Sequence, residues 1–181
     1  MHQRLAEISE RLAHQRRVLL DVASTVPADA WQTRLDDAQW SVSEVLEHLY
    51  RVERSVAAVV TKRVAKAREE GHPEETESSS VLGTVEPFRV SELDRKLVAP
   101  ELVTPTENPD RDTAVRLLTE SRAALDAAMA SGDGLALGSI KHTHLRFGEI
   151  DLYQGRLFVA EHEKRHTTQL REMARRLVPA S

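Results

Sequence analysis

Two histidines four residues apart, His162 and His166, carry the most direct chemical signal in this chain. On a helix, residues i and i+4 lie one above the other on one face, so both imidazoles can reach a single metal ion. The same spacing also suits two partly exposed polar residues on a helix rich in Glu and Arg. The segment His162-Glu163-Lys164-Arg165-His166 matches H-E-x-x-H, which in zinc peptidases supplies two ligands and a glutamate base. Two features argue against a peptidase: Glu172 is the one acid downstream of His166, and no strand is predicted that would give a peptide-binding edge. Glu163 then reads as a surface charge. A third histidine, His48, stands among Val45, Leu49 and Val52, on or beside an apolar helix face. Alone it reads as a hydrogen-bonded core histidine; in a bundle whose second and fourth helices meet, it reaches the other two. Three protein ligands leave a coordination position open, as in catalytic zinc sites.

The elements that position these residues are helices. Leu5, Ile8, Leu12, Leu19 and Val22 form a stripe over about 3–23, closed by Val26-Pro27. A connector with Trp31 and Trp40 follows. Ser41 and Glu44 form a capping box, starting a second helix that runs to about Glu70 with Val42, Val45, Leu46, Leu49, Val52, Val56 and Val59-Val60 on its apolar face. A third helix fits Asp110 or Asp112 to about Ala130, with Val115, Leu118, Leu125 and Met129 inward, and ends at Gly132 and Gly134. After a loop over 138–148, a fourth runs from about Asp151, its N-cap, to Leu177, with Leu152, Leu157, Val159, Leu170, Met173 and Leu177 apolar. No strand alternation is read. Residues 72–109, with prolines at 73, 87, 100, 105 and 109, form a long connection. Connections of that length are often functional; this one is expected to lie over the bundle, with a short helix near Ser91 to Leu97, and to contribute to a pocket rim. The reading is all-α: one domain over 1–181, a four-helix bundle with a long crossover between helices 2 and 3.

Composition sets the remaining bounds. The chain has 181 residues, 40% hydrophobic but 4% aromatic, so Leu, Val and Ala must fill the core. A formal charge of −4, with Asp and Glu interspersed among the arginines, lacks the basic footprint of a nucleic-acid binder. With no cysteine, thiolate ligands, Cys nucleophiles and disulfides are excluded within the chain. The start, Met1 to Glu7, is charged and amphipathic rather than an apolar signal, and no apolar run approaches the roughly 20 residues of a membrane span. The expected setting is the cytoplasm, with no membrane or nucleic-acid partner.

Two segments together resemble a known family. Trp40-Ser41-Val42-Ser43-Glu44-Val45-Leu46-Glu47-His48-Leu49 resembles the start of the second helix of the DinB/YfiT-like family. Phe147-Gly148-Glu149-Ile150 and the stretch Phe158 through Leu170 resemble its last helix, where an H-x-x-x-H pair is followed by x-x-Gln. The similarity spans most of the chain in order and spacing, the long connection included. It implies a DinB-like four-helix bundle, often a homodimer, with zinc or nickel held by His48, His162 and His166. It also implies a small-molecule substrate. Family members with known chemistry include thiol S-transferases that join bacillithiol, mycothiol or glutathione to an electrophile; others are described as metal-dependent hydrolases. A non-enzymatic, metal-stabilised interaction module is the third reading. Two departures bear on substrate: Lys141-His142-Thr143-His144 lacks the Pro that often follows the first His of that loop, and Gln154 stands where Trp is common. The weaker candidates for chemistry are Gln169, one turn beyond His166, as a group behind a ligand or in the pocket or else a plain surface amide, and His144, as a proton carrier or an exposed loop histidine.

Overall fold

The computed structural model describes residues 1–93 and 98–177, and the fold is helical. Four long helices carry it: α1 (Gln3–Ser24), α2 (Val42–Glu69), α3 (Arg111–Ala130) and α4 (Leu152–Leu177). The predicted N-termini hold at the level of individual bonds. The Glu44 N–H donates to Ser41 Oγ at 3.1 Å, and the Ser41 N–H donates to Glu44 Oε2 at 2.8 Å. Asp110 caps α3 through the Thr113 N–H at 2.9 Å. Asp151 accepts the Gln154 N–H at 2.8 Å, while its own N–H donates to Gln154 Oε1 at 3.1 Å. Gln154 is therefore a helix-start residue, and its Nε2 also ties the Thr84 carbonyl at 3.2 Å.

α1 lies along α4 and α2 along α3, while α2 and α4 touch more sparingly. The core has two apolar compartments. One gathers Leu5, Ile8, Leu12, Val60, Val64, Leu125, Met129 and Leu157; the other gathers Leu19, Trp31, Val42, Leu46, Leu49, Leu118, Leu170 and Met173. Val22 is only partly buried and packs at the edge of the second.

Between the compartments lies a layer of charge to which every long helix contributes. Glu53 Oε2 accepts from Arg16 (2.8 Å) and from the Ser121 hydroxyl, and its Oε1 accepts from Arg122 at 2.7 Å. Glu163 Oε1 accepts from Arg16 Nε at 2.7 Å and from Arg122 at 3.0 Å. Glu163 is wholly buried, which corrects its reading as a surface charge. Burial pushes its pKa up against the two guanidiniums that lower it.

The expectation of no strands also needs correction. Lys141–His144 and Gly148–Asp151 pair as an antiparallel hairpin, β1 and β2, in the register Lys141 to Asp151 and His144 to Gly148. Its four-residue strands are mostly exposed, with Ile150 alone fully buried, so no apolar alternation announces them. Gly148 adopts φ +70°, a left-handed conformation that glycine takes without the steric cost of a side chain.

The long connection holds short 3₁₀ turns at Leu82–Phe88 and Glu101–Val103. Ser91 to Leu93 are not helical; the rest of the helix expected there, residues 94–97, lies outside the described residues. The connection does lie over the bundle, and Glu47 anchors it. Three successive backbone N–H groups converge on that carboxylate: Thr106 at 2.9 Å, Glu107 at 3.0 Å and Asn108 at 3.1 Å. Arg51 adds a fourth bond at 2.9 Å. Asn108 turns the chain there at φ 47°, a region Asn tolerates better than most residues.

Burial alone would raise the Glu47 pKa, but these donors favour the anion more, and the net effect is a lowered pKa. A group depressed in the folded state contributes stability that is present above its unfolded pKa and is lost as pH falls through the folded value. Glu47→Gln is expected to cost about 2 kcal/mol at pH 7. The gap from the parent protein should close as pH drops below about 4.3, measured by urea unfolding across pH. A gap that does not change with pH would disprove the assignment.

Candidate metal centre

His48 comes from the first turns of α2, and His162 and His166 from the middle of α4. The sparse contact between those two helices is where the three meet. All three side chains are buried, and their ligand atoms lie within 4.8 Å of one another. His162 Nε2 is 3.4 Å from His48 Nε2 and 3.1 Å from His166 Nε2.

Hydrogen bonds behind the rings set which nitrogen is free. His48 Nδ1–H donates to the Val103 carbonyl at 2.7 Å, so the long connection orients this ring. His166 Nδ1–H donates to Gln169 Oε1 at 2.8 Å. Both Nε2 atoms therefore present lone pairs to the same point. His162 is held face to face by Phe158 at 5.3 Å, inclined by 14°, and its buried Nδ1 has no hydrogen-bond partner. If His162 donated a proton from Nε2, it could serve only one of its two neighbours, leaving a buried lone pair unsatisfied. A shared cation satisfies all three. Two imidazole nitrogens bound at the usual zinc distance to one tetrahedral ion lie about 3.3 Å apart, the spacing seen here. Three buried histidines that could hold a metal ion are thus built into the fold.

The electrostatics agree. Burial holds the pKa of His48 below its ordinary value, against the Val103 bond that raises it. His162 is driven well down by burial and then by His166 and His48. His166 is pushed down to about 3, by burial first and next by His48. Neutral imidazole is the ligand form.

A cavity of about 700 Å³ opens from the three histidines. α2 contributes Val52, Ser55, Val56 and Val59, and the long connection contributes Val98 to Pro100, Leu102 and Val103. The hairpin contributes His142 to Phe147, and α4 adds Phe158 and Arg165. Val56 and Val59 are half-buried and line the cavity, and Val56 also packs against the first core compartment. The connection therefore does form a pocket rim.

His144 is not an exposed loop residue: it stands in β1, half-buried, stacked on Phe147 at 4.8 Å and against Phe158 at 4.9 Å. Its Nδ1 accepts the N–H groups of Arg146 and Phe147 at 3.1 and 3.3 Å, so the neutral ring carries its proton on Nε2. Burial first, then His142 and Arg146, lower its pKa. His142 tucks under Gly155, where a Cβ would come within 3.2 Å of the ring. Glu163, by contrast, has its carboxylate in the charge layer and does not line the cavity, so the H-E-x-x-H match lacks its base.

The DinB superfamily model matches residues 11–170, the span containing every residue of this site. The chain belongs to the DinB superfamily. Neither a curated protein nor a solved structure matches it. As a DinB-superfamily bundle, it has no helix, among the described residues, long and apolar enough to cross a membrane.

Sequence reasoning missed Glu47 and the Val103 carbonyl, which together fix the His48 ring. It left Gln169 open between a group behind a ligand or in the pocket and a surface amide, and the 2.8 Å bond to His166 favours a place behind that ligand. Gln169→Leu is expected to weaken zinc binding about 10- to 100-fold while leaving the fold intact, read by competition with a chromophoric chelator. Unchanged affinity would return Gln169 to the helix surface.

Proposed function

We propose that this protein is a metal-dependent enzyme, with His48, His162 and His166 as ligands of one divalent ion, zinc or nickel. We propose further that it is a thiol S-transferase, joining a low-molecular-weight thiol to an electrophile. The observation that carries the enzyme reading is that the three imidazoles close one end of an open cavity. No Asp, Glu or Cys lines that cavity among the described residues, so the donor set leaves a coordination position facing the space where a substrate fits. A closed structural site would have a fourth protein ligand there.

A divalent ion held at this point lowers the pKa of a bound thiol and supplies thiolate at neutral pH. The chain has no cysteine, so the thiol comes from a cosubstrate. The protein's own groups orient and exclude. The Val103 carbonyl and Gln169 aim two of the rings, Phe158 backs the third, and the apolar walls displace water. In the transfer, the sulfur–carbon bond forms as the bond from that carbon to the departing atom breaks. That atom keeps the electron pair and takes a proton from solvent, matching the one the thiol gives up, with His144 Nε2–H the candidate hydrogen-bond donor to it. Thiol S-transfer rests on family resemblance together with this site.

The test is conjugation of a panel of thiols, glutathione included, to a generic electrophile by protein purified without an affinity tag and loaded with zinc or nickel. Thiol-dependent turnover that a chelator abolishes is the expected result. Metal-dependent ester or amide hydrolysis without any thiol requirement would replace the transferase with a hydrolase. Stoichiometric metal with neither activity would leave a metal-binding interaction module.

A further inference from the structure

The three histidines stand on two helical faces that run away from them side by side. On α2, His48, Val52, Val56 and Val59 recur every three or four residues, the spacing that keeps side chains on one face. On α4, His166, His162 and Phe158 do the same in the opposite chain direction. The core compartments fix that opposition: Val60 and Val64 share one with Leu157, while Val42 and Leu46 share the other with Leu170 and Met173. α2 and α4 are therefore antiparallel, and the valines advance from the ligands along the same side as Phe158.

All of these side chains line the same cavity, with Ser55 the polar member of the α2 face. At 1.5 Å per helical residue, this face carries the wall about 16 Å from His48 to Val59. Four residues further on it presents Arg63, where the apolar track ends. On the α4 side the track reaches Gly155, where a Cβ would come within 3.2 Å of the His142 ring, itself part of the lining. The rim is apolar as well: Leu145 is 86% exposed, Val98 74% and Leu102 71%. They come from two segments, the hairpin tip and the long connection, and meet at this one mouth. Scattered exposed apolar residues need no explanation, but clustering around a cavity marks a binding site.

Building on the metal-site reading above, we propose that this cavity takes a straight-chain aliphatic substrate of up to about ten carbons, its reacting end at the metal and its tail along Val52, Val56 and Val59. A volume of about 700 Å³ holds such a chain with room for a second reactant. Val56 and Val59 then set specificity by where they stand on the track, and chain length is the property they select.

The test is calorimetric titration of the full chain, loaded with cobalt, by straight-chain hydroxamates from acetohydroxamate to dodecanohydroxamate below their micelle concentrations. The hydroxamate head chelates the ion and places each tail at the start of the track. We expect affinity to rise about threefold per methylene and to level off near about ten carbons. Val59→Phe should bring that limit down to about eight carbons and Val56→Phe to about six, in the order of their distance from His48. Acetohydroxamate, which reaches only the metal end, should bind all three proteins alike.

A destabilised protein would lose affinity for every probe together, whereas a shortened track moves the limit and leaves acetohydroxamate alone. Both valines are half-buried, and either variant is sufficient if the other does not fold. Affinity that does not change with chain length would overturn the proposal, as would a limit that the variants leave in place. Failure of the metal reading shows separately, as protein that takes up no cobalt. In that event the same series on metal-free protein decides the matter. A limit near ten carbons that Val59→Phe or Val56→Phe shortens supports the track, and its absence overturns it.

Discussion

His166→Ala is expected to reduce metal binding from stoichiometric to undetectable at micromolar protein. The three Nε2 atoms point at one another across 3.1 and 3.4 Å, and His166 has its opposite nitrogen committed to Gln169. Removing it leaves only two imidazoles, His48 and His162, and two neutral ligands hold a divalent ion far more weakly than three. Loss of an outer partner in such a site costs about 10- to 100-fold in affinity; loss of a ligand should exceed that. Metal analysis of tag-free protein after dialysis, with helical content checked by circular dichroism, gives the answer. Retained one-to-one metal in a folded His166→Ala protein would show that the ligand set is wrong. The same variant should lose all metal-dependent turnover in the thiol assay.

The second large effect is one of stability. Glu53→Ala should destabilise the protein by about 3–5 kcal/mol, read as a fall in the urea midpoint. Glu53 is 1% exposed and accepts from Arg16, Arg122 and Ser121. Without it, two half-buried guanidiniums remain against the single carboxylate of Glu163, and the desolvation of the surplus charge is no longer offset. Breaking a buried pair in this way is costly even where replacing the whole cluster with apolar groups would be neutral. Joint replacement of Arg16, Glu53, Arg122 and Glu163 by Met, Leu, Met and Leu should therefore recover most of the loss. A single Glu53→Ala variant within 1 kcal/mol of the parent would mean that water reaches the layer and screens it.

That layer shows where reading the sequence could have gone further. Arg16 stands four residues after Leu12 and three before Leu19; Arg122 stands likewise between Leu118 and Leu125. Glu53 follows Leu49 by four, and Glu163 follows Val159 by four. Each helix thus places a charge in phase with its apolar stripe, and the four charges sum to zero. Taken one helix at a time, such a residue looks like an error in the pattern or a surface group. The meaning emerges only when the four are set side by side.

What the sequence determined by itself is local. Periodicity placed four helices, because a stripe repeating every three to four residues is sufficient to bury one face, and the Ser41–Glu44 pair started α2, because capping is settled within one turn. The i, i+4 spacing put His162 and His166 on one face for the same reason. The tertiary structure decided what depends on residues far apart in the chain. It brought His48 to the pair across 114 residues, and it set the Val103 carbonyl behind His48 through Glu47 and three backbone N–H groups. It also turned Glu163 into the charge layer and away from its neighbouring histidine. It raised a hairpin whose mostly exposed strands leave no apolar alternation to read. These outcomes depend on which helix faces which, and on a connection folding back onto α2; no window of sequence contains both partners.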